Sequence, residues 1–255
     1  MILQKNLFKA ALVEGRQQLG LWNSLSGPVV AEALAGTGYD WILVDCEHAL
    51  TDVPDVLSNL QAMAPYPVSA VVRPADNDPV LIKRILDFGA QSLLIPYVQT
   101  PAEAERAVAA MRYAPRGMRG MGLMTRATRY GTVEDYALQA DAEMCLLVQV
   151  ETAATLPLIE EIAAVDGVDG MFIGPADLSA TMGYPGQLYH PEVVAAIEDA
   201  VRRIKATGKA AGILTPDLPF ARSCIEWGTT FTAIGADLSL LVSAARGLVT
   251  GFRQG

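Results

Sequence analysis

Eight short apolar runs, spread along 255 residues and separated by helix-patterned stretches, constrain the fold of this chain more than any other feature. They fall at 19–22, 41–44, 69–72, 92–95, 145–150, 171–174, 210–214 and 231–235. None alternates apolar with polar residues. Strands of that kind are buried on both faces, as in parallel sheets covered by helices. The stretches between them read as the covering helices. In 79–88, Val80, Ile82, Ile85, Leu86 and Phe88 share one face, and Lys83, Arg84 and Asp87 are expected in solvent. In 192–207, Val193, Val194, Ile197, Val201 and Ile204 do the same. Gly89 and Gly208 follow as left-handed helix stops. Eight such units predict a single (β/α)8 barrel over 1–255, a common size for that fold.

Composition removes several function classes. A net charge of −9 and a pI near 4.7, with no lysine or arginine block, argue against a nucleic-acid surface. No stretch reaches the roughly 20 apolar residues of a membrane span, and the start lacks a secretory apolar core, so a cytoplasmic location is expected. Three widely spaced cysteines, Cys46, Cys145 and Cys224, suggest neither a zinc knuckle nor a disulfide framework. Cys145 and Cys224 read as small buried apolar residues.

In a parallel barrel the chemistry gathers where the strands end. Glu151 closes the fifth run and Asp177 follows the sixth, so both carboxylates emerge at one rim, where two hard oxygen ligands suit a divalent cation such as Mg²⁺ or Mn²⁺. Taken singly, each could instead cap a helix. Asp45-Cys46-Glu47-His48 follows the second run and Arg73 the third. His48, one of two histidines, offers an imidazole beside the carboxylates; the alternative is a structural histidine bonded to a carbonyl. A dication next to the Arg73 guanidinium would suit a small 2-oxo acid and its enolate, unless Arg73 pairs with Asp76 or Asp78 instead. His190, just before the Pro191 that opens a helix, reads as structural.

Two connections exceed what a barrel loop needs: 115–122 with Arg126 and Arg129, and 178–191. The four arginines of the first, Arg116, Arg119, Arg126 and Arg129, are expected to receive an anionic substrate, or else to pair with surface acids. The five lysines, Lys5, Lys9, Lys83, Lys205 and Lys209, all fall away from strand ends, which disfavours an imine-forming aldolase. No Gly-x-Ser-x-Gly elbow supports serine hydrolysis.

Taken in order, Asp45-Cys46-Glu47-His48, Arg73-Pro74, Pro115-Arg116-Gly117-Met118-Arg119-Gly120, Gln149-Val150-Glu151, Gly174-Pro175-Ala176-Asp177-Leu178-Ser179 and His190-Pro191 resemble the HpcH/HpaI family of metal-dependent pyruvate aldolases. The resemblance covers almost the whole chain; Cys46 stands where the family pattern would carry a smaller residue. It implies a barrel of the phosphoenolpyruvate/pyruvate-binding type, with Glu151 and Asp177 as ligands of Mg²⁺ or Mn²⁺, or else Co²⁺ or Zn²⁺. By the same resemblance Arg73 contacts pyruvate or its enolate, Gln149 lies beside the metal, and Ala176 and Leu214 offer backbone contacts to substrate. His48 and Asp45 take part in acid/base work, and Asp87 pairs with the histidine. Asp87 ends a helix whose barrel position is opposite His48, so that pairing needs a neighbouring subunit. The implied assembly is a homo-hexamer, a trimer of dimers with exchanged C-terminal helices. The implied reaction is cleavage of a 4-hydroxy-2-oxo acid, as in a 4-hydroxy-2-oxoheptanedioate aldolase, to pyruvate or hydroxypyruvate and an aldehyde. A citrate-lyase-β-like CoA-ester lyase and a non-catalytic oligomeric barrel are the alternatives.

Overall fold

The computed structural model describes residues 1–254. Eight parallel strands close into a barrel in sequence order: β1 (Gln18–Asn23), β2 (Trp41–Asp45), β3 (Ser69–Arg73), β4 (Ser92–Ile95), β5 (Cys145–Val150), β6 (Gly170–Ile173), β7 (Ala210–Leu214) and β8 (Thr229–Ala236). The closing pair is β1 with β8, in parallel register. All eight runs match these strands to within two residues at either end, as expected of apolar cores whose ends are set by neighbours.

Period-two alternation along each strand splits the apolar residues into two cores. One row faces the helices, including Leu21, Ile42, Val44, Val72, Leu93, Val148 and Ile173. The other faces the barrel axis: Trp22, Trp41, Leu43, Val71, Leu94, Leu147, Phe172 and Phe231. Trp41 and Phe231 fit because two strand positions carry no side chain. A Cβ on Gly20 would lie 2.1 Å from the Trp41 ring, and one on Gly212 would lie 2.2 Å from Phe231. The helix Leu7–Val13 plugs the N-terminal end, with Phe8 wholly buried 5.7 Å from Trp41 and 6.0 Å from Phe231 between ring centroids. That end of the barrel axis is therefore closed.

The helices obey their sequence signals with some differences. Gly89 and Gly208 take φ of 92° and 81° after helices Pro79–Asp87 and Pro191–Ala206. Val80 is 54% exposed, not part of the buried face, because it lies in the first turn where Asp78 caps the helix. Lys83 and Asp87 are half-buried instead of solvated. The connection after β6 is not all loop: Pro175–Thr181 is a short helix, with Pro175 at its first turn.

Candidate active site

Alternation by two carries polar groups onto the axial face as the strands reach their C-terminal ends. The row Trp41, Leu43, Asp45 on β2 and the row Val71, Arg73 on β3 are brought side by side by the parallel register, in which Asp45 pairs with Arg73. Their side chains meet in a two-pronged ion pair, Nε to Oδ1 at 2.8 Å and Nη2 to Oδ2 at 2.7 Å. Neither Asp76 nor Asp78 is the partner: Asp76 accepts from the Asn77 amide, and Asp78 caps the helix that follows. Asp45 is 1% and Arg73 6% exposed, so the pair is desolvated. Burial alone would raise the Asp45 carboxyl, but the Arg73 hydrogen bonds and charge overcome it and hold the group below its ordinary value. Trp22 floors the pair. Its indole N–H donates to Asp45 Oδ2 at 3.3 Å, and the guanidinium carbon lies 5.2 Å from its ring centroid.

The third Arg73 nitrogen reaches two groups. Nη1 donates to Gln149 Oε1 at 3.2 Å and lies 2.7 Å from Glu47 Oε2. The second contact is an ion pair off hydrogen-bonding geometry, because Glu47 Oε2 is buried without a hydrogen-bond partner. Glu47 therefore behaves differently from Asp45 although both face Arg73. Burial, with Asp45 and Asp177 nearby, pushes its carboxyl up despite the arginine.

Gln149 passes the network on to Glu151, its Nε2 donating to Glu151 Oε2 at 2.5 Å. Arg73 fixes its amide orientation, since a guanidinium can only donate and Gln149 must offer it the oxygen. The other Glu151 oxygen, Oε1, accepts the Tyr97 backbone N–H at 2.8 Å. Glu151 is thus no helix cap. Burial, reinforced by Glu47 and Asp177 and opposed by the Tyr97 amide and Arg73, raises its carboxyl to about 7. Asp177 sits in the first turn of Pro175–Thr181, exposed, where the helix dipole favours a negative charge.

Asp45, Arg73, Gln149 and Glu151 are therefore brought into one network, with Asp177 close enough to bear on both Glu47 and Glu151. His48 stands at the edge with its side chain 68% exposed and Nε2 3.9 Å from Glu47 Oε1. Ala176 is exposed beside Asp177, its carbonyl accepting from Ser179 at 2.7 Å, and Leu214 is half-buried at the end of β7. Asp87 is not in this group. It ends the helix after β3, and its Oδ1 accepts from Arg119 at 3.0 Å.

The arginine-rich connection also lies elsewhere. Arg119 is buried over the Tyr113 ring and tied to Asp87; Arg126 donates to the Phe88 carbonyl, Arg129 to Gln4, and Arg116 pairs with Asp141. These partners lie at helix ends and in the N-terminal segment, away from the mouth of this chain. Each arginine has an acid or a carbonyl within reach there, although the buried Arg119 leaves Nε and Nη1 without a hydrogen-bond partner.

Sequence reasoning passes over Glu47, Trp22 and Tyr97 as site residues. Glu47 and Trp22 carry a signal, since both fall on the axial row by alternation. Tyr97 carries none: its left-handed backbone, φ 52°, has no side-chain signature in a tyrosine.

The donor set fits a hard dication. Burial and the nearby Asp177 charge push both Glu47 and Glu151 up, Arg73 is already engaged by Asp45, and a buried Glu47 oxygen is left without a hydrogen bond. Among the described residues no three His, Cys, Asp or Glu side chains converge as a ready cage. A cation here would take Glu151 and Asp177 and leave its other positions to water and substrate.

A closed eightfold barrel with a carboxylate-rich mouth around one buried arginine defines a class of small-molecule lyase barrels. Residues 18–244 match the family described as HpcH/HpaI aldolase/citrate lyase, and the chain belongs to that family. It is 58% identical over 252 residues to a pyruvate aldolase of Rhizobium etli, covering 99% of each chain. It is 55% identical to a hydroxypyruvate/pyruvate aldolase of Sagittula stellata, covering 96% of this chain and 97% of the relative. A crystal structure of an HpcH/HpaI aldolase/citrate lyase family protein from Burkholderia cenocepacia superposes with a TM-score of 0.94 at 40% identity, over 98% of this chain and 100% of that one.

Proposed function

We propose that this protein is a divalent-metal-dependent aldolase that cleaves 4-hydroxy-2-oxo acids reversibly to pyruvate, or hydroxypyruvate, and an aldehyde. The observation that carries the reading is the buried Arg73, fixed by Asp45 and facing Glu151 through Gln149 in a mouth otherwise lined by acids. The names of the relatives above and of the 4-hydroxy-2-oxo-heptane-1,7-dioate aldolase of Salmonella paratyphi C, 53% identical over 249 residues, support the same chemistry. Glu151 and Asp177 would hold the cation, Mg²⁺ or Mn²⁺, which when bound would supply a Lewis acid to a 2-oxo acid.

The residues of the chain do the rest. Arg73 binds the substrate carboxylate side and stabilises negative charge on the enolate oxygen as the carbon–carbon bond breaks; its guanidinium is already desolvated and oriented, so no reorganisation is needed in the transition state. Asp45 and Trp22 keep it in place. Gln149 holds Glu151, and Ala176 and Leu214 line the substrate. His48, exposed at the rim, relays the proton lost by the 4-hydroxyl, a role worth about 10²–10⁴ in rate. Asp87 of a neighbouring subunit orients it. Assembly as a hexamer is part of this reading, supported by helix Asp237–Gln254, on which Leu241, Leu248 and Phe252 are 57%, 77% and 89% exposed. No described helix is long and apolar enough to cross a membrane.

The test is pyruvate release from a 4-hydroxy-2-oxo acid, abolished by chelation and restored by Mg²⁺ or Mn²⁺, with Glu151→Gln and Asp177→Asn inactive yet folded by circular dichroism. Activity surviving in either variant under chelator would refute the metal assignment. Turnover of a CoA ester instead would favour the citrate-lyase-like alternative.

A further inference from the structure

We infer that Tyr97 and Gly174 are positioning residues that hold the Glu151 carboxylate ready for a cation, Tyr97 through its backbone N–H and Gly174 through the absence of a side chain. The inference rests on the reading of Glu151 as a metal ligand.

A free glutamate must lose rotamer freedom to bind a cation. Here that freedom is already gone. Oε1 accepts the Tyr97 N–H at 2.8 Å and Oε2 the Gln149 amide at 2.5 Å, and each oxygen keeps a second lone pair for a cation. On the third side lies Gly174, where an added Cβ would be 2.6 Å from Oε2 and 2.8 Å from Glu151 Cβ.

Each residue is unusual in a way only Glu151 explains. Gly174 has φ −95° and ψ 95°, ordinary extended backbone open to any residue, so conformation does not call for glycine but space does. Tyr97 shows the reverse. At φ 52° it adopts a left-handed backbone that disfavours side chains, while the residue is 54% exposed and spends its backbone N–H on Glu151. The chain has a reason to turn there. Ile95 still belongs to the β4–β5 ladder and Pro96 has no N–H, so the Tyr97 amide is the first free donor past the end of β4. The left-handed turn aims it at Glu151.

Mn²⁺ binding to the assembled protein, followed by the electron paramagnetic resonance of free Mn²⁺, tests this with Tyr97→Gly, Tyr97→Val and Gly174→Ala. Glycine keeps the N–H and accepts the left-handed turn, so Tyr97→Gly should bind Mn²⁺ within about twofold of wild type and melt no lower in chelator. Valine resists that turn, and alanine at 174 displaces the carboxylate; each should weaken Mn²⁺ about tenfold or more in folded protein, as loss of groups supporting a metal ligand does. A merely structural role would lower melting temperature and leave the dissociation constant of the folded fraction unmoved. If Gly174→Ala does not fold, Tyr97→Val against Tyr97→Gly decides alone. Equal Mn²⁺ affinity in wild type, Tyr97→Val and any folded Gly174→Ala overturns the inference, as does a Tyr97→Gly as weak as Tyr97→Val. A wild type that binds no Mn²⁺ overturns the ligand reading beneath it.

Discussion

Arg73 grips Asp45 across the β2–β3 register with two nitrogens at 2.8 and 2.7 Å, and both side chains are out of water. A buried pair of this kind adds little net stability over an apolar pair, yet removing one partner costs up to about 3–5 kcal/mol, the upper end reduced here because Glu47 still faces Arg73. Asp45→Asn should therefore lower the urea midpoint by an equivalent amount and loosen the guanidinium that the proposed reaction uses. A variant as stable as wild type would mean that solvent reaches Arg73 and that the pocket is wetter than its burial implies.

Glu151 makes the metal-free protein sensitive to pH near neutrality. Its carboxyl is raised to about 7 from 4.5, so the stability it contributes is complete below 4.5 and is lost as pH rises through about 7. A separation of that size corresponds to at most about 3 kcal/mol. In chelator, wild type should lose stability between about pH 4.5 and 7 relative to Glu151→Gln, measured by urea unfolding at each pH. Protons and cation also compete for the same carboxylate, so Mn²⁺ affinity should fall as pH drops below about 7. Parallel pH curves for the two proteins would contradict the burial of Glu151.

Borohydride with pyruvate should leave the protein unmodified by mass spectrometry. Lys5 pairs with Glu143, Lys9 and Lys209 donate to the Met144 and Val168 carbonyls, and Lys83 and Lys205 ride on outer helices. None enters the mouth. A pyruvyl-lysine adduct would move the chemistry to an imine route.

His48 and Asp87 should complement each other only between subunits. One ends the mouth side of β2 and the other ends the helix after β3, where Arg119 holds one of its oxygens. His48→Ala and Asp87→Asn homo-oligomers should each lose about 10²-fold or more in turnover. Oligomers mixed from the two should regain activity, because some mouths then carry both native groups. Mixed oligomers no better than either parent would sink the shared site.

The period and number of the apolar runs pointed to a parallel sheet covered by helices, because strands buried on both faces are apolar throughout, and eight such units in 255 residues suit a barrel; closure itself came from the pairing of β1 with β8. The same local rules placed Glu151, Asp177, Arg73 and Asp45 at strand ends, and Gly89 and Gly208 at helix ends. What lay beyond sequence was partnership. Nothing local says that Arg73 chooses Asp45 and Glu47 over Asp76 and Asp78, since register between strands 28 residues apart decides it. Nothing local says that the arginines of 116–129 turn away from the mouth, because their partners, Asp87, Phe88, Gln4 and Asp141, are brought to them by the fold. Tyr97 is the extreme case. Its sequence neighbours offer only a proline, and its strained turn is held by a carboxylate 54 residues away, a contact that exists only once the barrel has closed.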